Sequence, residues 1–171
     1  MELNIDFEQE KITWTYGSVE YEYFAEGIED ATVINDSVIF VETYVNDNPG
    51  SGYVSLDGKD LLWYYYKGPT YLFNPVNGTR CEIDVPGVQG VGVTQESAVI
   101  ITSQNLYIYD FNGNKKTLLA VPFGYSFDRI VDADSLKVVC TGGRYEADQY
   151  GRNEWVFEFV NGTWNKTSLA V

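Results

Sequence analysis

Three stretches of this chain carry one pattern, and the pattern leaves little room for anything but short antiparallel strands. VINDSVIFVET (33–43), VTQESAVIITS (93–103) and VDADSLKVVCT (131–141) each give a valine, a tight polar turn, an acid followed by serine, and a mostly apolar strand. The acid–serine pairs are Asp36-Ser37, Glu96-Ser97 and Asp134-Ser135. Three further stretches close the units. YLFNPVNGTRCEIDV, YIYDFNGNKKTLLAV and FEFVNGTWNKTSLAV each run from an aromatic strand through Asn-Gly into a second strand. Asn-Gly favours the type I′ turn, whose twist matches a two-residue hairpin. Between 88 and 124 the unit is complete. VGVT, AVIIT, NLYIYDF and KTLLAV read as strands, broken at Gln95-Glu96-Ser97, Ser103-Gln104-Asn105 and Asn112-Gly113.

The rest of the chain varies this theme. Leu3, Ile5, Phe7, then Ile12, Trp14, Tyr16, then Val19, Tyr21, Tyr23 alternate with polar residues, the period of half-buried strands. Glu8-Gln9-Glu10 and Gly17-Ser18 supply the turns. The first full unit is lengthened by SGYVSLDGKDLLWYYYKG, read as an extra hairpin about Asp57-Gly58, and the last by GGRYEADQYGRNE at 142–154. No stretch keeps a helical period and no linker divides the chain. The expectation is one all-β domain, 1–171, of antiparallel four-strand meander repeats in units of about 1–30, 31–87, 88–124 and 125–171.

Strand parity then sorts the connections, because alternate crossings of a meander emerge at the same end. The segments 26–30, 46–52, 67–70, 86–90, 122–128 and 142–154 fall on one side, with tight turns on the other. Loops on a rigid scaffold are where recognition resides. The residues expected to bind a partner are therefore Glu26, Glu29, Asp30, Asp47, Tyr125, Asp128, Tyr145, Glu146, Asp148 and Tyr150. The acids would steer a cationic partner and the tyrosines would anchor it.

Composition narrows the chemistry. With 25 Asp and Glu against 11 Lys and Arg, the chain repels phosphate backbones and anionic lipid, so neither nucleic acid nor a membrane is expected as partner. It has no histidine, which removes His-based acid–base catalysis, His triads and His metal sites. Cys81 and Cys140 form no C-x-x-C and read as buried, reduced thiols in strands. No G-x-S-x-G, P-loop or dinucleotide fingerprint is present, so no catalytic residue, metal or cofactor is assigned. Asp110-Phe111-Asn112-Gly113-Asn114 resembles the start of a calcium loop, but Val121 stands where a bidentate Glu is needed, and a hairpin explains it better. Asp128, Asp132 and Asp134 read as turn chemistry. Trp63-Tyr64-Tyr65-Tyr66 reads first as a strand packed on both faces, in the core or at a dimer seam, and second as a glycan or small-ligand platform. The sequons at Asn35, Asn77, Asn161 and Asn165 reflect Asn-rich turns. Met1 is followed by no basic start and no apolar signal core, so a soluble, cytoplasmic protein is expected.

The units at 31–87, 88–124 and 125–171 resemble β-propeller blades, without a W-D or kelch signature. The resemblance implies a partial or small propeller-like fold. Either the three N-terminal strands join the C-terminal unit and close a small ring, or an open arc leaves edges that a second copy could pair. A second resemblance, carried by size, charge and missing chemistry rather than a motif, is to bacterial toxin immunity proteins, including the contact-dependent growth inhibition type. It implies a non-enzymatic module that occludes a basic toxin, such as a nuclease, through its acidic loops.

Overall fold

The computed structural model describes residues 1–34, 38–59, 61–65, 70–73, 80–83, 85–94, 96–110 and 115–170. The alternating runs become strands throughout, with no α-helix among the described residues. Strands β1 (Leu3–Asp6), β2 (Lys11–Tyr16) and β3 (Val19–Phe24) form one sheet in the order β1-β2-β3. Strands β4 (Ile28–Ile34), β5 (Val38–Val45), β6 (Asn48–Ser55), β7 (Leu61–Tyr65), β8 (Thr70–Phe73) and β9 (Arg80–Ile83) form a six-stranded sheet. A third sheet joins β10 (Gly90–Val93), β11 (Ser97–Ile101), β12 (Asn105–Asp110) and β13 (Lys115–Ala120). The fourth joins β14 (Tyr125–Asp132), β15 (Lys137–Gly142), β16 (Glu154–Val160) and β17 (Thr163–Leu169). Every sheet is ordered as the chain runs, so each is an antiparallel meander.

The six-stranded sheet is the repeat plus the expected hairpin: β6 and β7 pair as Gly50↔Tyr65 to Tyr53↔Leu62, turning where Gly58 N–H donates to Ser55 O at 3.2 Å. The three N-terminal strands keep a sheet of their own. The chain divides into two compact units, the first Met1–Val85 and the second Pro86–Asp110 with the residues from 114 on.

In the first unit, Ile12, Trp14 and Tyr23 from β2 and β3 share a core with Ile39, Val41, Val54, Leu61 and Trp63. The indole N–H of Trp14 donates to Leu56 O at 2.9 Å inside that core. Left unpaired there, it would cost about 1–3 kcal/mol. In the second unit Val99, Ile101, Leu106, Phe127, Val138, Cys140 and Phe157 close a separate core. Its two sheets are tied by Phe127 N–H to Ser103 O and Trp164 Nε1–H to Ala120 O, each 2.9 Å.

Asn-Gly chemistry is visible at Asn161-Gly162, where φ values of 52° and 82° make the type I′ turn between β16 and β17. The turns at Asn112-Gly113 and Asn77-Gly78, and the pair Asp36-Ser37, lie outside the described residues. The other acid–serine pairs show what the motif does. Ser97 meets Thr94 Oγ1 at 2.8 Å, and Ser135 Oγ donates to Asp132 Oδ2 at 2.7 Å, so the serine returns to the residue that opens the turn.

The structure departs from expectation at the 46–52 connection and at Cys81. The connection expected at 46–52 is the two-residue turn Asn46-Asp47, with φ of 50° and 61°. Pro49 and Gly50, which look like turn residues, run on in β6. Pro49 is tolerated because the ladder to β7 begins only at Gly50. Cys81 is exposed rather than buried, because β9 is the edge strand of its sheet. Cys140, in the interior strand β15, is buried.

Inside each unit the contacts follow strand parity. In the first, Ala25 N–H donates to Glu10 O and Tyr44 N–H to Gly27 O, both 2.8 Å, gathering the connections before β2, β4 and β6. In the second, Val121 N–H donates to Gln104 O at 2.9 Å, and Tyr125 reaches Glu146.

Candidate functional site

In the first unit Glu26 is exposed in the turn before β4, and Asp47 in the turn before β6. Glu29 and Asp30 are strand residues rather than loop residues. The β4–β5 ladder pairs Ile28↔Thr43 and then Asp30↔Glu42, leaving Glu29 as an extra, bulged residue. A regular strand would send one of two neighbouring residues inward. The bulge lets Ile28 enter the core while both acids face water. Asp30 lies directly across from Glu42, so like charges oppose each other on the exposed face. None of Glu26, Glu29, Asp30 and Asp47 is in an ion pair among the described residues.

The second unit repeats the bulge and loses the charge. Its ladder pairs Phe127↔Cys140 and then Arg129↔Val139, so Asp128 is the extra residue, again in a strand rather than the expected loop. Here the neighbour is a cation: Arg129 Nη1 donates to Asp128 Oδ2 at 2.6 Å. Asp148 is also engaged. It accepts the N–H groups of Tyr150 and Arg152, both at 2.9 Å, and Arg152 Nε and Nη2 at 2.8 and 2.7 Å. Burial works to raise its carboxyl, but the donors of Arg152 and Tyr150 outweigh it and hold Asp148 below the usual carboxylate range. Asp148 thus cinches the 143–153 connection.

Tyr125 and Glu146 are brought together as a brace. The phenol of Tyr125 donates to Glu146 Oε2 at 2.6 Å, and Lys166 Nζ donates to the same phenol oxygen at 3.0 Å. The Tyr125 ring stands edge-on to Phe157, centroids 4.8 Å apart. Trp155 Nε1–H donates to Glu146 O at 2.9 Å, and Lys166 Nζ lies 4.1 Å from the Trp155 ring centre. Gly142 makes this possible, since a Cβ there would come within 2.4 Å of Glu146 Cβ.

Around the brace stand bare rings. Tyr145 is 85% exposed and Tyr150 73%, each beside a guanidinium: Arg144 at 4.8 Å from the Tyr145 ring centre and Arg152 at 5.2 Å from that of Tyr150. Phe123, absent from the sequence expectation, is fully exposed on the connection before β14. Its signal was an aromatic between Pro122 and Gly124, outside any alternating run. Lys166 was also missed. It meets Tyr125 across 41 positions of sequence, with nothing local to mark the pairing.

Charge divides the same way. Residues 1–85 hold sixteen Asp and Glu against four Lys and Arg, net −12, whereas residues 86–171 hold nine against seven, net −2. Among the described residues no group of three or more His, Cys, Asp or Glu is placed to hold a metal. Asp132 is occupied as turn chemistry suggests, accepting from Asp134 N–H and from Ser135, whose hydroxyl chiefly holds its carboxyl below the usual range. Trp63 is 6% exposed and belongs to the first core, so it is no platform. Tyr64 is half-buried, and the side chains of Tyr65 and Tyr66 lie outside the described residues. No helix among the described residues is long and apolar enough to cross a membrane.

These sheets define an all-β protein of antiparallel meander repeats, propeller-like in that one up-and-down sheet follows another. No family model and no curated protein matches the sequence. Among solved structures the chain is similar to the N-terminal domain of Nup159, at 10% identity and a TM-score of 0.49, covering 96% of this chain and 60% of that one. The same values hold for a chain in the S. cerevisiae complex of Dbp5 with Nup159, Gle1, IP6 and ADP. Streptogramin B lyase is similar at 13% identity and a TM-score of 0.48, covering 99% of this chain and 68% of that one. The chain thus spans about 60% of the length of these two chains.

Proposed function

We propose that this chain is a non-enzymatic protein-binding module, an immunity-type inhibitor that acts in the cytoplasm by covering a basic toxin. One observation carries the reading: Phe123, Tyr145 and Tyr150 stand exposed on two connections that an internal network holds in place. Exposed aromatics on a preorganised rim are the usual anchors of a protein interface, because a large apolar area is buried for little lost rotamer freedom. The acids add the long-range part. Glu26, Glu29, Asp30 and Asp47 belong to the strongly negative first unit, which would raise the encounter rate with a cationic protein. Within the second unit the acids are largely spent on structure, so its role is anchoring.

The test uses the full chain as bait at low salt in a lysate of its native organism, beside the triple variant Phe123→Ala, Tyr145→Ala, Tyr150→Ala. The expected result is a basic protein held by the wild type and lost by the variant. Expressed alone, that protein should arrest growth, and co-expressing the present chain should relieve the arrest. Equal capture by the two baits, or arrest that persists, would overturn the proposal.

A further inference from the structure

We infer that Tyr125, Trp155 and Glu146 form a surface site for a protonated amine, that Lys166 fills it as an internal ligand, and that a lysine ammonium of the partner takes its place on binding. This deepens the reading above and rests on it only in assigning the amine to a partner protein.

The walls of the site are fixed. The Trp155 indole is tied by its N–H to Glu146 O at 2.9 Å, and the Tyr125 ring is set against Phe157. Between them lies the Lys166 ammonium, 4.1 Å from the Trp155 ring centre and 5.6 Å from that of Tyr125, within the range of a cation–π contact. The occupant is mobile by chemistry: Lys166 is an exposed residue of β17, the last strand of its sheet, and its charge rides on a flexible four-carbon stem. It can leave without breaking a ladder hydrogen bond.

Hydrogen-bond polarity then selects the ligand class. A phenol has one proton, and at 2.6 Å that proton goes to Glu146 Oε2. The oxygen is left as an acceptor facing Lys166 Nζ at 3.0 Å. Burial first, and then the bond to Glu146, raise the Tyr125 phenol above its ordinary value, so the proton stays in place at neutral pH. A primary ammonium satisfies both the rings and the acceptor. A quaternary ammonium satisfies only the rings, because it has no N–H.

The experiment follows the Trp155 indole N–H by NMR in the full chain, assigned with Trp155→Phe, during titration with n-butylammonium and n-butyltrimethylammonium. In Lys166→Thr, which suits a strand, n-butylammonium should shift the signal saturably at concentrations about tenfold below those needed in the wild type. The quaternary ion should bind more weakly, and Tyr125→Phe in the same background should erase the preference. If Lys166→Thr does not fold, Lys166→Gln serves in its place. No saturable shift, equal response to the two ions, or no gain over the wild type would each overturn the inference. Such a failure leaves the toxin-binding reading to its own capture test. Conversely, a selective shift with no captured partner keeps the site and removes only its assignment to a partner.

Discussion

The first 85 residues and the remainder of the chain are built from the same up-and-down ladder, even to an acidic bulge in the first strand of a sheet, at Glu29 of Ile28-Glu29-Asp30 and at Asp128 of Phe127-Asp128-Arg129. They present different side chains to solvent. In the first unit the bulge is followed by a second acid, Asp30, which faces a third, Glu42, across the ladder. In the second it is followed by an arginine that pairs with it. Connection length extends the contrast. Between β5 and β6 the chain turns in two residues, which leaves only their own side chains to present. Between β15 and β16 it has room for a 3-10 turn, an Asp148 clamp and two bare tyrosines. Burial patterns fixed the common ladder, while connection length and the identity of bulged neighbours fixed what each unit offers.

The largest expected difference between the units is in their single cysteines. Cys81 is exposed on β9, whereas Cys140 is enclosed in the second core. Burial, with a smaller contribution from the Asp128 charge, pushes the Cys140 thiol up to about 12. The thiolate is the nucleophile, so at pH 8 roughly one Cys140 in 10⁴ is reactive even before access is considered. Iodoacetamide on the native chain should label Cys81 and spare Cys140, and mass spectrometry of the digest reads both. The raised value also fixes the sign of a pH effect. The folded thiol keeps its proton where the unfolded one, near 8.5, releases it, so its contribution to stability is whole below about pH 8.5 and falls as pH rises toward about 12. Labelling of Cys140 at a rate near that of Cys81 would show that the second core opens readily.

Next in size is the loss expected at Trp63. Its ring lies so close to the backbone of β6 that a Cβ on Gly52 would come within 2.5 Å of it. Trp63→Ala should cost about 3–5 kcal/mol. Since Trp63 packs among Ile12, Trp14, Tyr23, Val41 and Val54 of the first unit, amide exchange should quicken in β4 to β9 more than in β10 to β17. Equal loss of protection across the chain would mean that the two units melt together, with no separate stability to compare.

Much of this frame was legible in the residues alone. Alternation located β1 to β3, short apolar runs between polar breaks located β10 to β13, and Asp57-Gly58 announced the extra hairpin of the six-stranded sheet. Elsewhere local signals point the wrong way. Asn46-Asp47 could adopt positive φ and close the turn at once, yet Pro49 and Gly50 look more like turn residues and drew the loop too long. Strand register was the other blind spot. Nothing in Glu29 or Asp128 marks a bulge, because a bulge is a property of the paired strand. The same holds for the site. Tyr125 and Glu146 were singled out as a free anchor and a free acid, but their contact, and the arrival of Lys166 from β17, depend on packing that spans distant strands. Acid content was legible as a total. Which acids remain unneutralised was not, because Arg129 and Arg152 claim theirs only in the folded chain.

The division of unneutralised acids between the units underlies the smallest expected effect, which bears most directly on the contrast. If charge belongs to the first unit and anchoring to the second, reversing acids in each should alter different rate constants for a captured basic partner. Glu29→Lys with Asp30→Lys removes solvent-facing charge without touching a core residue, so it should lower the association rate about tenfold at 0.01 M salt, where the Debye length is roughly 30 Å. At 0.15 M, with screening over roughly 8 Å, the deficit should shrink to about twofold. Asp148→Lys should behave otherwise. Its carboxylate receives four hydrogen-bond contacts that hold the 143–153 connection, so its loss should loosen Tyr145 and Tyr150 and raise the dissociation rate with little dependence on salt. Stopped-flow mixing at the two salt concentrations separates these outcomes. Should Asp148→Lys slow association in the salt-dependent manner and the first-unit pair leave it unchanged, steering would reside in the connection with the bare rings, and the division of labour between the units would have to be reversed.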